Sequence, residues 1–217
     1  IDLSAAFDMV DHDLLLQKLE LLGLDSQAVD WFRSYLTSRS QTVCIDGALA
    51  RVLDIECGVP QGSVLGPLLY VLFTNDLPEV VHNDHDTPLS HLSPNMQCND
   101  CGGLVNYVDD ATYTFASDDP AELSDRLSET YKCIAGYMAA NKLVINADKT
   151  HLLIMGTQAM DGARQQVQLR AGEHVISPTP TEKLLGCNIH QNMKWGKHLQ
   201  NSDQSLMRQL TSRVNAI

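Results

Sequence analysis

Apolar residues recur at helical spacing in four stretches of this chain. Asp, Ser or Pro stands at the start of these stretches and Gly23 follows the first, which is typical of helix boundaries. The predicted helices span residues 11 or 12 to 23, about 26–36, 63 to about 75, and 120 to about 140. Their apolar residues should pack a core, and in the second helix these are Trp31, Phe32 and Leu36.

Shorter runs of β-branched and apolar residues predict strands between these helices. Two of them flank a turn at Gly47, and two others form a hairpin before the fourth helix. The predicted strands span residues 1–3, 41–46, 51–56, 104–108, 111–116, 143–145, 151–155, 167–170 and 183–189. Strands interleaved with long helices around an antiparallel hairpin predict an α+β domain. Residues 196–217 predict an amphipathic helix that leaves it.

Length and composition are those of a globular protein. At 217 residues with 44% hydrophobic content, the chain is large enough to bury a core in one large domain or in one domain with a small appendage. It begins within a predicted strand and without methionine, from which we expect a fragment of a larger product.

Charge and cysteine content narrow the class of protein. The formal net charge of −12 has the wrong sign for a stand-alone nucleic-acid binder, because Lys and Arg make most phosphate contacts. No apolar run of about 18 residues and no signal peptide are present, so we expect no membrane association and an intracellular location, in nucleus and cytoplasm. Six scattered cysteines do not resemble a secreted disulfide framework, and reduced thiols are expected.

A polar segment at residues 78–103, rich in His, Asn, Asp, Pro and Ser, interrupts the pattern. It is longer than a tight connection needs, which indicates an inserted loop. His82, His85, Cys98 and Cys101 have the spacing of a tetrahedral Zn²⁺ site. No open coordination position is indicated, so such a zinc ion would be structural. The alternative is a polar loop with solvated histidines and free thiols, and both interpretations stay open.

Two adjacent aspartates, Asp109 and Asp110, follow Tyr107 and Val108 at the tip of the predicted hairpin. Adjacent carboxylates repel each other and are hard to keep ionised without a cation, which favours a hard divalent metal such as Mg²⁺. Such pairs also occur as solvated residues in turns and caps, so the pair alone is a weak signal. Asp2, at the end of the first predicted strand, supplies a third carboxylate.

Five short blocks occur in a fixed order along the chain. They are residues 2–8 (DLSAAFD), 58–67 (GVPQGSVLGP), 107–110 (YVDD), 141–150 (NKLVINADKT) and 184–186 (LLG). This series closely resembles the reverse transcriptases of non-LTR retrotransposons, the LINE and jockey-like elements, and the resemblance runs from residue 1 to about 200. Val108 and Tyr137 depart from the usual alanine and tryptophan, and both changes should be tolerated.

The resemblance implies a fold. It implies a polymerase palm over residues 1–195, with an antiparallel sheet that carries the catalytic hairpin and packs on long helices. Residues from about 24 to 57 would form part of the lower fingers, and residues 78–103 would be an insertion. Residues 196–217 would begin a thumb-like helix. The remaining fingers and thumb and an endonuclease would lie outside this chain, so we expect the fragment alone to be inactive or weak.

The resemblance also implies an activity. The expected reaction is RNA-directed DNA polymerisation, in which deoxynucleoside triphosphates extend a DNA primer along an RNA template. Deprotonating the primer hydroxyl and stabilising charge on both reacting oxygens suits two Mg²⁺ ions. The alternative is a non-catalytic truncated or domesticated remnant that acts as a binding module. An RNA polymerase palm is less expected, because Phe7 would clash with a 2′-hydroxyl.

Specific residues take roles by this resemblance. Asp2 and Asp109 would bridge the metal ions, with Asp110 as a weaker contributor and the Leu3 carbonyl as a further ligand. Lys149 would protonate the departing pyrophosphate, although a surface lysine is the competing interpretation.

The remaining implied roles concern nucleotide and primer. Phe7 would lie under the sugar of the incoming nucleotide and select deoxynucleotides. Pro60, Gln61 and Gly62 would line the nascent base pair, where glycine allows close backbone approach and the Gln amide both donates and accepts hydrogen bonds. Leu185 and Gly186 would form the primer grip through their backbone.

Overall fold

The computed structural model describes residues 1–82, 103–107 and 110–194 of the chain. Helices and short antiparallel strand pairs alternate along it, which confirms the predicted α+β class. The helices are α1 His12–Leu21, α2 Ser26–Leu36, α3 Leu65–Phe73, α4 Leu77–His82, α5 Pro120–Ala140 and α6 Asp161–Arg164. The strands are β1 Asp2–Leu3, β2 Arg39–Gln41, β3 Cys44–Ile45, β4 Ala48–Leu49, β5 Leu53–Ile55, β6 Gly103–Tyr107, β7 Asp110–Thr114, β8 Ile145–Asn146, β9 Leu169–Ala171, β10 His174–Ile176, β11 Thr181–Leu184 and β12 Cys187–His190.

Two compact units divide these elements. The first comprises the described residues of Ile1–Thr114 with Lys132–Asn146, and the second comprises Phe115–Tyr131 with the described residues from 147 onward. The first unit buries side chains from several helices together, among them Leu15 and Leu19 of α1, Phe73 of α3 and Ile134 of α5. Burying each such side chain contributes about 1.5–3 kcal/mol, so this cluster sets the frame that positions β1.

Asp11 starts α1 as predicted. Its carboxylate accepts a hydrogen bond from the Leu14 N–H at 2.9 Å, and Lys142 Nζ lies 2.5 Å from its other oxygen. Partial burial opposes ionisation, but the hydrogen bonds from Lys142 and Leu14 outweigh it and lower the pKa of Asp11. Gly23 follows the helix with φ +91°, in the left-handed region that glycine adopts without strain.

The end of α5 explains why Lys142 reaches Asp11. The Leu143 N–H donates to the Met138 carbonyl and the Lys142 N–H to the Ala139 carbonyl, which is the Schellman pattern of a helix end. Lys142 has φ +58° there, at a position that usually carries glycine. The lysine side chain therefore connects the end of α5 to the start of α1.

Lys18 of α1 forms a second connection within the first unit. Its Nζ lies 2.7 Å from Asp76 Oδ1 and 2.7 Å from the Phe73 carbonyl, while the Tyr137 hydroxyl donates to Asp76 Oδ1 at 2.6 Å. Partial burial raises the pKa of Asp76, but the hydrogen bonds from Lys18 and Tyr137 exceed that effect and lower it. Burial and the Asp76 carboxylate raise the pKa of Tyr137. Three elements, α1, α3 and α5, thus meet at one ionic cluster.

The two strands predicted around Gly47 form two separate pairs. β2 pairs with β5, with Gln41 opposite Leu53, and β3 pairs with β4 around the Asp46–Gly47 turn. The Ala50 N–H donates to the Val43 carbonyl, so Val43 pairs with Ala50. Between this pair and the pair of Gln41 with Leu53, the first predicted strand has one residue and the second has two. This arrangement is a β-bulge, which divides the predicted continuous strands.

The prediction that Trp31 packs in the core is wrong. α2 has the predicted bounds, but Trp31 is 54% exposed and its ring stacks on Tyr35 at a centroid distance of 5.8 Å. Val29 and Leu36 are the buried residues of α2. With 3.6 residues per turn, Trp31 lies on the side of the helix opposite Val29.

The third helix starts at Leu65 and ends at Phe73, two residues inside the predicted bounds at each end. Ser63 nevertheless makes the contact expected of a helix start, because its Oγ accepts from the Gly66 N–H at 2.9 Å. Pro67 lies in the first turn, where its missing N–H costs no helical hydrogen bond.

The second unit contains the first part of α5, α6 and two hairpins. Ser124 and Ser128 of α5 accept hydrogen bonds through Oγ from the N–H groups of Gln168 and Arg170, which places β9 along the helix. Arg164 is 5% exposed and donates to the Thr157 carbonyl at 2.9 Å and the Gln191 carbonyl at 3.4 Å. A buried arginine thus connects α6 to the segment after β12.

Two strand predictions in the second unit are wrong. The predicted strand 183–189 is a hairpin of β11 and β12, because Leu185 and Gly186 have φ +46° and +83° and form its two-residue turn. The predicted strand 151–155 is reduced to a single bridge between Leu152 and Pro178. The turn was not predicted because Leu184, Leu185 and Cys187 around it are apolar, as is typical of a strand.

The predicted insertion at residues 78–103 and the predicted helix at residues 196–217 are described in part or not at all. α4 occupies the first residues of the predicted insertion, whereas residues 83–102 and the predicted helix 196–217 lie outside the described residues. In the part of the chain that the structure describes, no helix is long and apolar enough to cross a membrane. The described cysteines, Cys44, Cys57, Cys133 and Cys187, form no disulfide.

Candidate active site

β1 is hydrogen-bonded on both sides. On one side it pairs antiparallel with β8, and Asp2 lies opposite Asn146. On the other side, the Ile1 backbone nitrogen donates to the Ala111 carbonyl at 2.7 Å, and the Ala111 N–H donates to the Ile1 carbonyl at 3.3 Å. Two residues that exchange both hydrogen bonds form an antiparallel pair, so β1 lies between β8 and β7.

The pairing of Ile1 with Ala111 puts Asp2 opposite Asp110. In antiparallel strands the residues beside a hydrogen-bonded pair face each other with Cα atoms about 4.5 Å apart and side chains on one face. Oδ2 of Asp2 is buried, whereas Asp110 is exposed. The structure therefore brings together two of the three predicted carboxylates.

The opposite face of these strands is apolar. Leu3 and Ala111 are each 6% exposed, and Leu3 belongs to the core of the first unit. Because side chains alternate between the two faces of a strand, burying these neighbours turns Asp2 and Asp110 away from the core. The Leu3 carbonyl as a metal ligand stays a prediction.

Asp109 lies outside the described residues. β6 and β7 pair up to Tyr107 opposite Asp110, with Val108 and Asp109 as the two residues between them. The register confirms the predicted hairpin, while the role of Asp109 as a bridging ligand stays a prediction.

The described residues supply part of a metal site. Among them, no group of three or more His, Cys, Asp or Glu side chains is arranged to hold an ion. Asp2 and Asp110 carry the carboxylate oxygens that Mg²⁺ prefers. Oδ2 of Asp2 is buried, and attraction to a cation is stronger where water is excluded. The donor chemistry fits a hard divalent ion, for which Asp109 would be the third carboxylate.

The segment before α3 is attached to the segment before α1. The Val59 N–H donates to the Phe7 carbonyl at 2.8 Å, and the Gly58 N–H donates to the Val10 carbonyl at 2.7 Å. The buried His12 imidazole donates through Nε2 to the Gly58 carbonyl at 2.8 Å. Two of the sequence blocks, residues 2–8 and 58–67, are therefore neighbours in space.

Phe7 and Gln61 lie on this junction. The Phe7 ring is half-buried and packs on Tyr70 of α3 at a centroid distance of 5.0 Å. Gln61 is exposed, and its Nε2 donates to Asp8 Oδ1 at 2.8 Å. The Pro60 carbonyl accepts from Ser63 Oγ at 2.7 Å. The Asp8 carboxylate thus contacts the Gln61 side chain at this junction.

Gly58 and Gly62 both have left-handed backbone conformations, with φ +90° and +78°. A Cβ on Gly58 would lie 2.9 Å from the Asp8 Cα and 2.9 Å from its carbonyl oxygen, while a Cβ on Gly62 would meet nothing within 4 Å. Gly58 is therefore required by space as well as by conformation.

The other predicted site residues belong to the second unit. Lys149 is exposed at the end of the 3₁₀ turn Ala147–Lys149, which directly follows β8. Leu185 is 52% exposed and forms the β11–β12 turn with Gly186. An exposed turn is consistent with contact through the backbone, and the roles of all three residues stay predictions.

The predicted zinc ligands are not part of the described site. His85, Cys98 and Cys101 lie outside the described residues, and of His82 only the backbone at the end of α4 is described. Zinc therefore receives no support here.

Sequence patterns missed two residues that contact the candidate site. Asn146 lies opposite Asp2, and the buried His12 fixes the Gly58 carbonyl. Both contacts join segments far apart in the chain, so local periodicity predicts neither of them. Asn146 lies in the block 141–150, whereas His12 lies in none of the five blocks.

A model of the family "Reverse transcriptase (RNA-dependent DNA polymerase)" matches residues 1–189. The chain belongs to the reverse transcriptase family. The match covers Asp2, the junction of Phe7 with Gln61, and the β6–β7 hairpin. Membership classes the chain with RNA-directed DNA polymerases, as its sequence blocks predicted.

Relatives of this reverse transcriptase domain come from mobile elements. It is 30% identical over 200 residues to the "Probable RNA-directed DNA polymerase from transposon BS" of Drosophila melanogaster, covering 92% of this chain and 20% of the relative. It is 28% identical over 211 residues to the "RNA-directed DNA polymerase from mobile element jockey" of Drosophila funebris, covering 97% of this chain and 21% of the relative. These names confirm the predicted non-LTR type, and the chain spans about a fifth of the length of these relatives.

Gly58→Ala should destabilise this reverse transcriptase domain more than Gly62→Ala. Both changes place alanine at positive φ, but only at Gly58 does the new Cβ overlap backbone atoms. Strain and overlap together should cost about 2–4 kcal/mol at Gly58, against about 1–2 kcal/mol at Gly62. Urea denaturation of the two variants measures the difference. Equal losses would show that the Gly58–Asp8 contact relaxes without cost.

Proposed function

We propose that this chain is the palm core of an RNA-directed DNA polymerase that adds deoxynucleotides to the 3′-hydroxyl of a primer. The observation that carries the proposal is the position of Asp2 opposite Asp110 on the face of β1 and β7 that turns away from the core. Family membership supports the reaction class. In this assignment β2–β5 belong to the lower fingers.

Carboxylates define the proposed reaction centre. Asp2, Asp109, Asp110 and the Leu3 carbonyl would hold two Mg²⁺ ions. When bound, such ions lower the pKa of an attacking hydroxyl and offset charge on attacking and leaving oxygens. Asp2 and Asp110 lie on different strands, and the pairing of β1 with β7 places their carboxyl groups side by side without any substrate. Lys149 is the proposed proton donor to the leaving pyrophosphate.

Phe7 and Gln61 are the proposed contacts to the incoming nucleotide. The Phe7 ring is held from behind by Tyr70, so it has little room to yield to a bulky substituent. Gln61 is exposed and is oriented by Asp8, which leaves its carboxamide oxygen as an acceptor. Together they support selection of deoxynucleotides, with RNA template, DNA primer and deoxynucleoside triphosphates as partners.

The net negative charge of the chain favours a second candidate function, a non-catalytic binding module. The chain has a formal net charge of −12, so a polymerase requires that cationic contacts to nucleic acid come from elsewhere. The relatives are about five times longer and have room for such regions. Primer extension by a polypeptide that joins this chain to the flanking regions of the jockey polymerase separates the two candidates.

Asp109→Asn in that polypeptide should reduce deoxynucleotide incorporation on a primed RNA template by at least about a hundredfold. The change removes a ligand charge and adds no bulk, so the thermal unfolding temperature should stay close to that of the parent. Asp118→Asn is the matched control, since Asp118 is exposed in the second unit. Incorporation by Asp109→Asn near the parent rate would show that the metal site is misplaced.

Phe7→Ala should relax sugar selection. Removing the ring opens space beside Tyr70, and the preference for deoxynucleotides over ribonucleotides should fall by at least about tenfold, with Phe7→Leu intermediate. Competing incorporation of dNTP and rNTP by the two variants measures this preference. A preference unchanged in both variants would reject the selective role of Phe7 and leave the polymerase assignment to the Asp109 experiment.

A further inference from the structure

Asn146 extends the carboxylate pair into a row of three side chains. Asp2 of β1 lies opposite Asn146 on β8 and opposite Asp110 on β7. Residues directly opposite each other in antiparallel strands project from the same face. The row therefore runs Asn146, Asp2, Asp110 across three strands, with a carboxamide on one side of Asp2 and a carboxylate on the other.

The two sides of Asp2 differ in spacing. The Ser4 N–H donates to the Val144 carbonyl at 2.9 Å, and the hydrogen-bonded pairs recur every second residue along an antiparallel ladder. Asp2 and Asn146 thus form a hydrogen-bonded pair with Cα atoms about 5.5 Å apart, against about 4.5 Å for Asp2 and Asp110. The wider side leaves room for a hydrogen bond between a carboxamide and a carboxylate.

Chemistry favours asparagine in this place. Oδ2 of Asp2 is buried, and a buried carboxylate is costly unless donors or a cation face it. A carboxamide has two N–H donors and no charge. It can orient a carboxylate without competing for the metal, whereas a lysine would replace the cation and a third carboxylate would add repulsion.

We propose that Asn146 is the positioning residue of this metal site: its carboxamide donates to the Asp2 carboxylate and holds it toward Asp110. The inference rests on the proposed function, because it assigns a divalent cation to the Asp2–Asp110 pair. Asn146 acts through Asp2 and contacts neither nucleotide nor primer. Losing such an outer partner typically weakens metal binding by about 10–100-fold.

Binding of Mn²⁺ to the purified 217-residue chain, followed by the free-ion signal in electron paramagnetic resonance, tests the proposal without requiring polymerisation. Asn146→Ala should raise the Kd for Mn²⁺ by at least about tenfold. Asn146→Asp should lower the Kd below that of the parent chain, because a third carboxylate joins the row. Repulsion among the three carboxylates should lower the melting temperature of Asn146→Asp in the absence of metal. Adding Mn²⁺ should then raise the melting temperature of this variant more than that of the parent chain.

Asn141→Ala is the matched control. Asn141 is buried, and its carboxamide donates to the Tyr137 carbonyl at 2.9 Å, at the end of α5 and off the carboxylate row. This variant should lose stability while keeping the parent Kd, which separates a general loss of folding from an effect on the site. A parent-like Kd for Asn146→Ala would overturn the positioning role.

Asp2→Asn separates this inference from the proposed function. If Asp2→Asn weakens Mn²⁺ binding strongly and Asn146→Ala does not, the metal site stands and the role of Asn146 is rejected. If Asp2→Asn also binds Mn²⁺ like the parent, or the parent binds none, the assignment of the metal site fails, and the positioning role fails with it.

Discussion

The backbone pairing of β1 with β7 and β8 is the constraint on which the candidate site depends. β1 has two residues, so its register is set by the hydrogen bonds between Ile1 and Ala111 and by burial of Leu3. A slip of one residue would turn Asp2 into the core and Leu3 toward solvent. Placing a carboxylate among the apolar side chains of the core would be costly and opposes that slip, so the apolar face of the sheet determines where the carboxylates lie.

The segment that follows β1 positions the proposed nucleotide contacts. After β1 the chain passes Phe7 and Val10, whose carbonyls accept from Val59 and Gly58, and then enters α1 at Asp11. Close approach there requires glycine, because any Cβ on Gly58 would overlap the backbone of Asp8. The ion pair of Asp11 with Lys142, and that of Lys18 with Asp76, fix α1 within the first unit. Residues 1–12 therefore position both the carboxylates and the nucleotide contacts.

Sequence reasoning succeeded where one segment contains its own signal. α1, α2 and α5 have apolar stripes and capping residues, and each was predicted to within two residues. It failed where the outcome depends on distant parts of the chain or on an apolar turn: Trp31 is exposed, and Leu185 and Gly186 form a turn inside an apolar run. The family followed from ordered blocks, but the row of Asn146, Asp2 and Asp110 depends on register, which sequence alone does not specify.

Cross-linking of cysteines tests this register most directly. Non-hydrogen-bonded antiparallel pairs have the Cα separation that a disulfide accepts. Asp2→Cys combined with Asp110→Cys should form a disulfide under mild oxidation, identified by mass spectrometry of unreduced peptides because the chain has six native cysteines. Asp2→Cys combined with Thr112→Cys, one pair further along β7, should not. A disulfide in the second variant and none in the first would contradict the position of Asp2 opposite Asp110.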